Sequence, residues 1–124
     1  MHVVTPAPVD VITTPNAVMT RRATPAHGAG ETAVWTARMA AGAQGPVHQV
    51  DREQIWCVLT GSITVTTDAG EERAVLGQTV VLPPGEDRRI TAGEQGAELL
   101  VCMPVAGRVS TPDDPRLRPL PWAA

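Results

Sequence analysis

Proline and glycine cut this chain into pieces too short for long helices. Among 124 residues there are 12 prolines and 11 glycines, and the stretches between them are rich in Val, Ile and Thr. A proline inside a helix removes one backbone donor and fixes φ, so the clusters Pro6, Pro8, Pro15, Pro25 and Pro112, Pro115, Pro119, Pro121 exclude helices near both ends. Residues 9–13 and 17–21 suit edge strands. From Glu31 a period of two sets in: Ala33, Trp35, Ala37 and Met39 alternate with Thr32, Val34, Thr36 and Arg38, the pattern of a half-buried strand. Further strands are read over 47–50, 54–60, 63–67, 73–76, 79–82, 88–91 and 97–103. Gly61-Ser62 reads as a turn, 68–71 as a hairpin loop, Pro83-Pro84-Gly85 as a breaker, and 93–96 as a break between the last two strands. This succession predicts an all-β sandwich or barrel, because a flat sheet of that size leaves long unpaired edges. The organisation expected is an extended arm over 1–30, a barrel over 31–104 and a proline-rich tail over 105–124 that docks on the body or on a partner.

Composition narrows the function classes. Phe and Tyr are absent and Trp occurs three times, so Val, Leu, Ile, Ala and Met must fill the core. The net charge of −3 and ten scattered arginines, with no lysine, argue against a nucleic-acid partner. No apolar run nears the roughly 20 residues that span a bilayer, and the first residues lack the basic flank and apolar stretch of a signal peptide. Cys57 and Cys102 fit neither a disulfide framework nor a zinc spacing and are read as reduced thiols. Together these features lead us to expect a cytoplasmic protein without a membrane partner.

Two stretches carry a family resemblance. In the first, Gly42 is followed after five residues by His48, then by Gln54, and Gly61 comes six residues after that. In the second, Gly77 is followed by Pro83, Pro84, Gly85, Arg88 and Ala92. These resemble the two motifs of the cupin superfamily, with Val50 where the second His of the first motif is expected, Arg88 at the His of the second, and Ala92 at its Asn. The resemblance covers about residues 31 to 103. It implies a jelly-roll barrel (a double-stranded β-helix) with extended N- and C-terminal arms and a site in the open interior. It also implies a homodimer, since small cupins pair through their sheets and exchange terminal strands, and Pro119-Leu120-Pro121-Trp122 suits an anchor for such an arm.

The departures from the motif direct the functional reading. A transition-metal site gathers three or four His, Cys or carboxylate ligands. Here the ligand positions offer one imidazole and one neutral amide, His48 and Gln54, beside a guanidinium that repels a divalent cation by several kcal/mol at about 5 Å. No metal cofactor is therefore expected. The alternative is a dioxygenase-type divalent metal on His48 and Gln54, its shell completed by His27, a side chain from the start of the chain, or water. Without a metal, His48 is read as the acid or base, Arg88 as the anion anchor and Gln54 as an orienting amide. Val50, Trp56, Val58 and Val65 would wall a dry substrate cavity, although Trp56 and Trp35 suit core or dimer packing better than substrate stacking. This set fits isomerisation, cyclisation or dehydration by proton transfer on a small organic acid or an enolisable carbonyl. A non-enzymatic ligand- or partner-binding module is the remaining alternative. Exclusive use of Arg over Lys and abundant Ala fit a GC-rich bacterial genome, where small cupins accompany natural-product pathways.

Overall fold

The computed structural model describes residues Met1–Ala124. Ten strands form two sheets, with only short 3-10 turns at Pro8–Asp10, Pro25–His27 and Pro121–Ala123. No helix is long and apolar enough to cross a membrane. The larger sheet holds β1 (Val11–Thr13), β2 (Val18–Ala23), β3 (Thr32–Met39), β8 (Arg88–Pro104), β5 (Gln54–Thr67) and β6 (Gly70–Val75) in that order, with β7 (Thr79–Leu82) also paired to β5. The smaller sheet is β10 (Asp114–Pro119), β9 (Arg108–Thr111) and β4 (Gln49–Val50). Every pairing is antiparallel.

Two elements are longer than the sequence suggests. Gly61 lies inside β5 and Gly93–Gly96 inside β8, so each expected break is a bend within a continuous strand. The β5–β8 register shifts on either side of this bend, between Val58 and Thr60 and between Gly61 and Ile63. Gly61 and Gly96 both have positive φ, 71° and 73°. A Cβ on Gly61 would collide with the Gly96 carbonyl, and one on Gly96 would come within 2.6 Å of the Met39 carbonyl. Glycine is needed here to let two backbones cross closely, not to reverse the chain.

The alternation read in β3 is the observed one. Ala33, Trp35, Ala37 and Met39 face inward and are buried. Across β3, β8 and β5, the pairs Trp35–Val101 and Val101–Trp56 make one inward row, and Ala37–Leu99 with Leu99–Val58 make the next. Ile63, Leu99 and Val101 are fully buried. Each such aliphatic side chain contributes roughly 1.5–3 kcal/mol through removal from water.

The C-terminal residues fold back on the barrel. β9 and β10 complete the small sheet, and the following turn is fastened by a polar cluster from the N-terminal region. The Ala124 carbonyl accepts from Thr24 Oγ1 (2.8 Å) and Arg21 Nη1 (3.2 Å). Buried Asp10 pairs with Arg21 Nη2 at 3.1 Å and His27 Nε2 at 3.0 Å, and its other oxygen accepts from the Ala7 N–H at 2.8 Å. The Ala7 N–H, with His27 and Arg21, holds the Asp10 carboxyl below its ordinary pKa against the opposing effect of burial. The Thr24 backbone N–H reaches His27 Nδ1 at 3.2 Å. A backbone N–H can only donate, so Nδ1 is bare and the ring proton sits on Nε2, facing Asp10.

Candidate functional site

Between the two sheets lies a cavity of about 300 Å³. The large sheet contributes Met19, Trp35, Ala37, Met39, Gln54, Trp56 and Ile90 to its walls. The small sheet and the segments beside it contribute His48, Val109, Thr111, Arg118, Leu120 and Trp122. The walls are mostly apolar and aromatic, which is the usual character of a small-molecule pocket.

His48 and Arg88 are joined through their backbones. His48 N–H donates to the Arg88 carbonyl at 3.0 Å and Arg88 N–H to the His48 carbonyl at 2.9 Å, an antiparallel bridge that holds the two positions side by side. The only hydrogen bond of the His48 ring runs from Nδ1 to the Pro46 carbonyl, 3.0 Å. The carbonyl can only accept, so Nδ1 carries the proton and Nε2 is left with a free lone pair. Burial lowers the His48 pKa and the Arg88 guanidinium lowers it further; the Pro46 hydrogen bond and Asp87 act in the opposite direction. The imidazole is therefore neutral at pH 7.

Gln54 is held in one orientation. Its Oε1 accepts from Trp56 Nε1 and from Arg88 Nη2, each at 3.2 Å. Two donors on one atom identify that atom as oxygen. The amide NH2 then points elsewhere, and its sole protein partner is the thioether of Met103 at 3.6 Å, a weak acceptor. Gln54 thus presents an amide donor whose protons are poorly satisfied.

Arg88 is only 1% exposed, and no carboxylate lies within 4.0 Å of it. Its Nη1 donates to the Glu86 backbone carbonyl at 2.9 Å, and its Nε has no partner. Burial lowers its pKa, and the charges of Glu86 and Asp87 hold it up. Arg88 is not on the cavity wall but lies behind it, with Gln54 as its contact to the cavity.

The other residues singled out by the sequence divide. Trp56 lines the cavity, whereas Val50, Val58 and Val65 are buried in the core and do not. Val65 borders a wider cleft of about 690 Å³ along the free edge of β6 and β7, lined by Glu71, Glu72, Arg73 and Glu86 and remote from His48. Cys57 and Cys102 are free thiols, half-buried on the outer face of the sheet, and burial raises the Cys102 pKa. Sequence reasoning did not assign Arg118, Leu120 and Trp122 to the cavity. Only the anchor-like Pro119–Trp122 run signalled the last two, and it packs on its own barrel.

These residues do not fit a divalent metal. Nowhere do three His, Cys, Asp or Glu side chains gather. At the motif position Gln54 Oε1 already accepts two donors, one of them from a guanidinium. His27, the side chain read as completing a shell, has both ring nitrogens engaged by Thr24 and Asp10. A dication at this point would face Arg88, and no carboxylate lies within 4.0 Å of that guanidinium to offset the repulsion.

A two-sheet antiparallel barrel with a polar set in its interior, reached through glycine-spaced motifs, is the arrangement of the cupin fold, and this chain has that fold. No protein-family model and no curated protein matches the sequence. Among solved structures, it is similar to the polyketide cyclase RemF from Streptomyces resistomycificus, with 21% identity, TM-score 0.74, and 97% of this chain and 85% of that one covered. It is also similar to KdgF from Halomonas sp., with 20% identity, TM-score 0.67, and 77% and 84% covered. A variant of oxalate decarboxylase from Bacillus subtilis matches at 21% identity and TM-score 0.69; 76% of this chain is covered, but the match spans only 26% of that protein. Mn(II) centres are described for that decarboxylase.

Proposed function

We propose that this chain is a small-molecule enzyme that moves a proton on an enolisable carbonyl compound without a metal, in an isomerisation, cyclisation or dehydration. The observation that carries the reading is the double acceptance at Gln54 Oε1, which turns the amide into a fixed donor backed by a buried cation. His48 Nε2 takes a proton from the carbon next to the carbonyl, and the C–H electron pair moves onto the carbonyl oxygen. The Gln54 N–H donates to that oxygen as it becomes an enolate. Arg88, acting through Gln54, offsets the new negative charge. In the substrate no such charge exists, so the interaction strengthens toward the transition state. Imidazolium then returns the proton, either to another carbon of the enolate or to the alkoxide formed when the enolate attacks a second carbonyl. Both routes balance without an oxidant or a second reactant. The cyclase activity named for RemF supports the second route. The organic-acid branch of the reading lacks support, because the cavity wall offers no free cation.

Exchange of the α-hydrogens of 2-tetralone in D2O, followed by NMR, tests this. Wild-type protein should accelerate exchange over buffer, and His48→Ala should remove the acceleration. Wild-type exchange no faster than buffer, or exchange unchanged in His48→Ala, overturns the proposal.

A homodimer forms part of the same reading. On the outer sheet face Val34, Cys102, Ile55 and Val81 make one lateral row, with Leu100 and Cys57 in the next. Val81 is 59% exposed, and a second copy of the chain would cover this apolar face. Sedimentation that finds only a 13.1 kDa species at micromolar concentration contradicts it.

A further inference from the structure

We infer that the cavity is built to clamp a planar, uncharged, conjugated ring system. This rests on the cavity being the working site and names the class of molecule it takes.

The first observation is where the aromatic residues go. The chain has no Phe or Tyr and three Trp, and all three, Trp35, Trp56 and Trp122, line this one cavity. The rest of the core is aliphatic or methionine, apart from a few buried polar groups. If indoles served only to fill volume, nothing would collect them from β3, β5 and the C-terminal turn around a single space. Trp35 and Trp56 flank Val101 on the same inward row, which sets their backbones about 9.5 Å apart, two strand spacings. Flat π surfaces favour a flat partner over a puckered one of equal volume. Met19 and Met39 add polarisable sulfur to the same walls.

The second observation is charge. The one permanently charged side chain on the cavity wall, Arg118, already has a carboxylate partner. Its Nη1 lies 2.9 Å from Asp114 Oδ2 and also donates to the Asp114 and Arg116 carbonyls, at 3.1 and 3.0 Å. Its Nη2 donates to Thr111 Oγ1 at 3.4 Å. A ligand carboxylate entering here would lose its water and have to share the one cation on the wall with Asp114. The third observation is an unused donor. Trp35 is 1% exposed, and its indole N–H has no acceptor in the protein. Such a group is rare in a native interior, and a ligand carbonyl or hydroxyl oxygen would satisfy it. A cavity of about 300 Å³ lies at the small end of ligand pockets and suits two or three fused rings.

Calorimetric titration of the intact chain at pH 7.5 with three probes tests the inference: 2-naphthol, the saturated trans-2-decalol and the charged 2-naphthoate. 2-Naphthol should bind at least about tenfold more tightly than either of the others. Trp122→Ala should weaken 2-naphthol by about tenfold, and Trp35→Phe, which keeps a ring but deletes the N–H, should weaken it by a smaller factor. Decalol or naphthoate binding as tightly as naphthol, or no naphthol binding at millimolar concentration, overturns the inference. The readout does not depend on turnover. A ring preference without tetralone exchange leaves the ligand class standing and removes the proton-transfer reading. Exchange without a ring preference does the reverse.

Discussion

Two polar clusters of this molecule use nearly the same residue types to opposite ends. Around Asp10 the arginine and the histidine both meet the same carboxylate, both nitrogens of His27 are bonded, and only Arg21 Nε lacks a partner. Around Gln54 the arginine has no carboxylate within 4.0 Å, the histidine keeps a free nitrogen, and the amide protons meet only a thioether. The first cluster neutralises its own charge and fastens the C-terminal segment that bears Leu120 and Trp122. The second leaves a buried cation, a base and a donor unsatisfied beside a cavity. Buried polar groups left in that state cost stability, so a fold that keeps them uses them for something other than holding itself together.

Exchanging the roles of the two histidines breaks or sharpens this contrast most. His48→Ala should cost about 10²–10⁴-fold in tetralone exchange, the usual weight of a general base, with little change in Tm. His27→Ala should lower Tm and leave the exchange rate close to wild type. The same effect from both would erase the distinction. Next in size is Gln54→Glu. It replaces the amide donor with an acceptor and gives Arg88 the carboxylate it lacks, so Tm should rise while exchange falls by about 10²–10³-fold, as for loss of one oxyanion donor. A faster variant would contradict the donor role.

The arginines differ next. Arg88→Met removes a buried cation that has no carboxylate within 4.0 Å and should leave the protein no less stable, with exchange slowed about tenfold. Arg21→Met strips partners from Asp10 and the Ala124 carbonyl and should lower Tm, leaving exchange unaffected. Thermal melts and exchange rates on the pair check both. The smallest effect lies in acid stability. The folded pKa of His48 is below its ordinary 6.5, so its contribution is complete above that value and is lost as pH falls through the folded pKa. The folded pKa of Asp10 is likewise below its ordinary 3.8, and its contribution is lost only in a lower window. Urea midpoints measured from pH 7 to pH 2 should decline in two stages, the upper one absent in His48→Ala.

Much of this architecture was legible in the sequence because strand alternation is local. Ala33, Trp35, Ala37 and Met39 face inward as their spacing requires. Gly61 and Gly96 misled, because a glycine that turns a chain and a glycine that lets a long strand bend past another look alike until the crossing backbone is known. That positions 48 and 88 lie on neighbouring strands was implied by the family resemblance. The withdrawal of Arg88 behind the cavity did not, because it depends on Gln54 being claimed by Trp56 and Arg88 together, a contact across β5 and β8. Trp122 was hidden for a related reason: a proline-rich end carries no periodicity, and what holds it is a carbonyl bonded to Thr24 and Arg21, about 100 residues earlier in the chain.

The account depends on a His48 imidazole that is neutral with Nε2 bare, kept so by burial first and by the Arg88 guanidinium in addition, with the Nδ1 bond to the Pro46 carbonyl fixing the tautomer. NMR titration of the imidazole nitrogens, in the wild type and in Arg88→Met, measures it directly. The account predicts a wild-type His48 protonated on Nδ1, with a pKa below 6.5 that rises in Arg88→Met. A wild-type value at or above 6.5, or one that does not move when Arg88 is replaced, would contradict it.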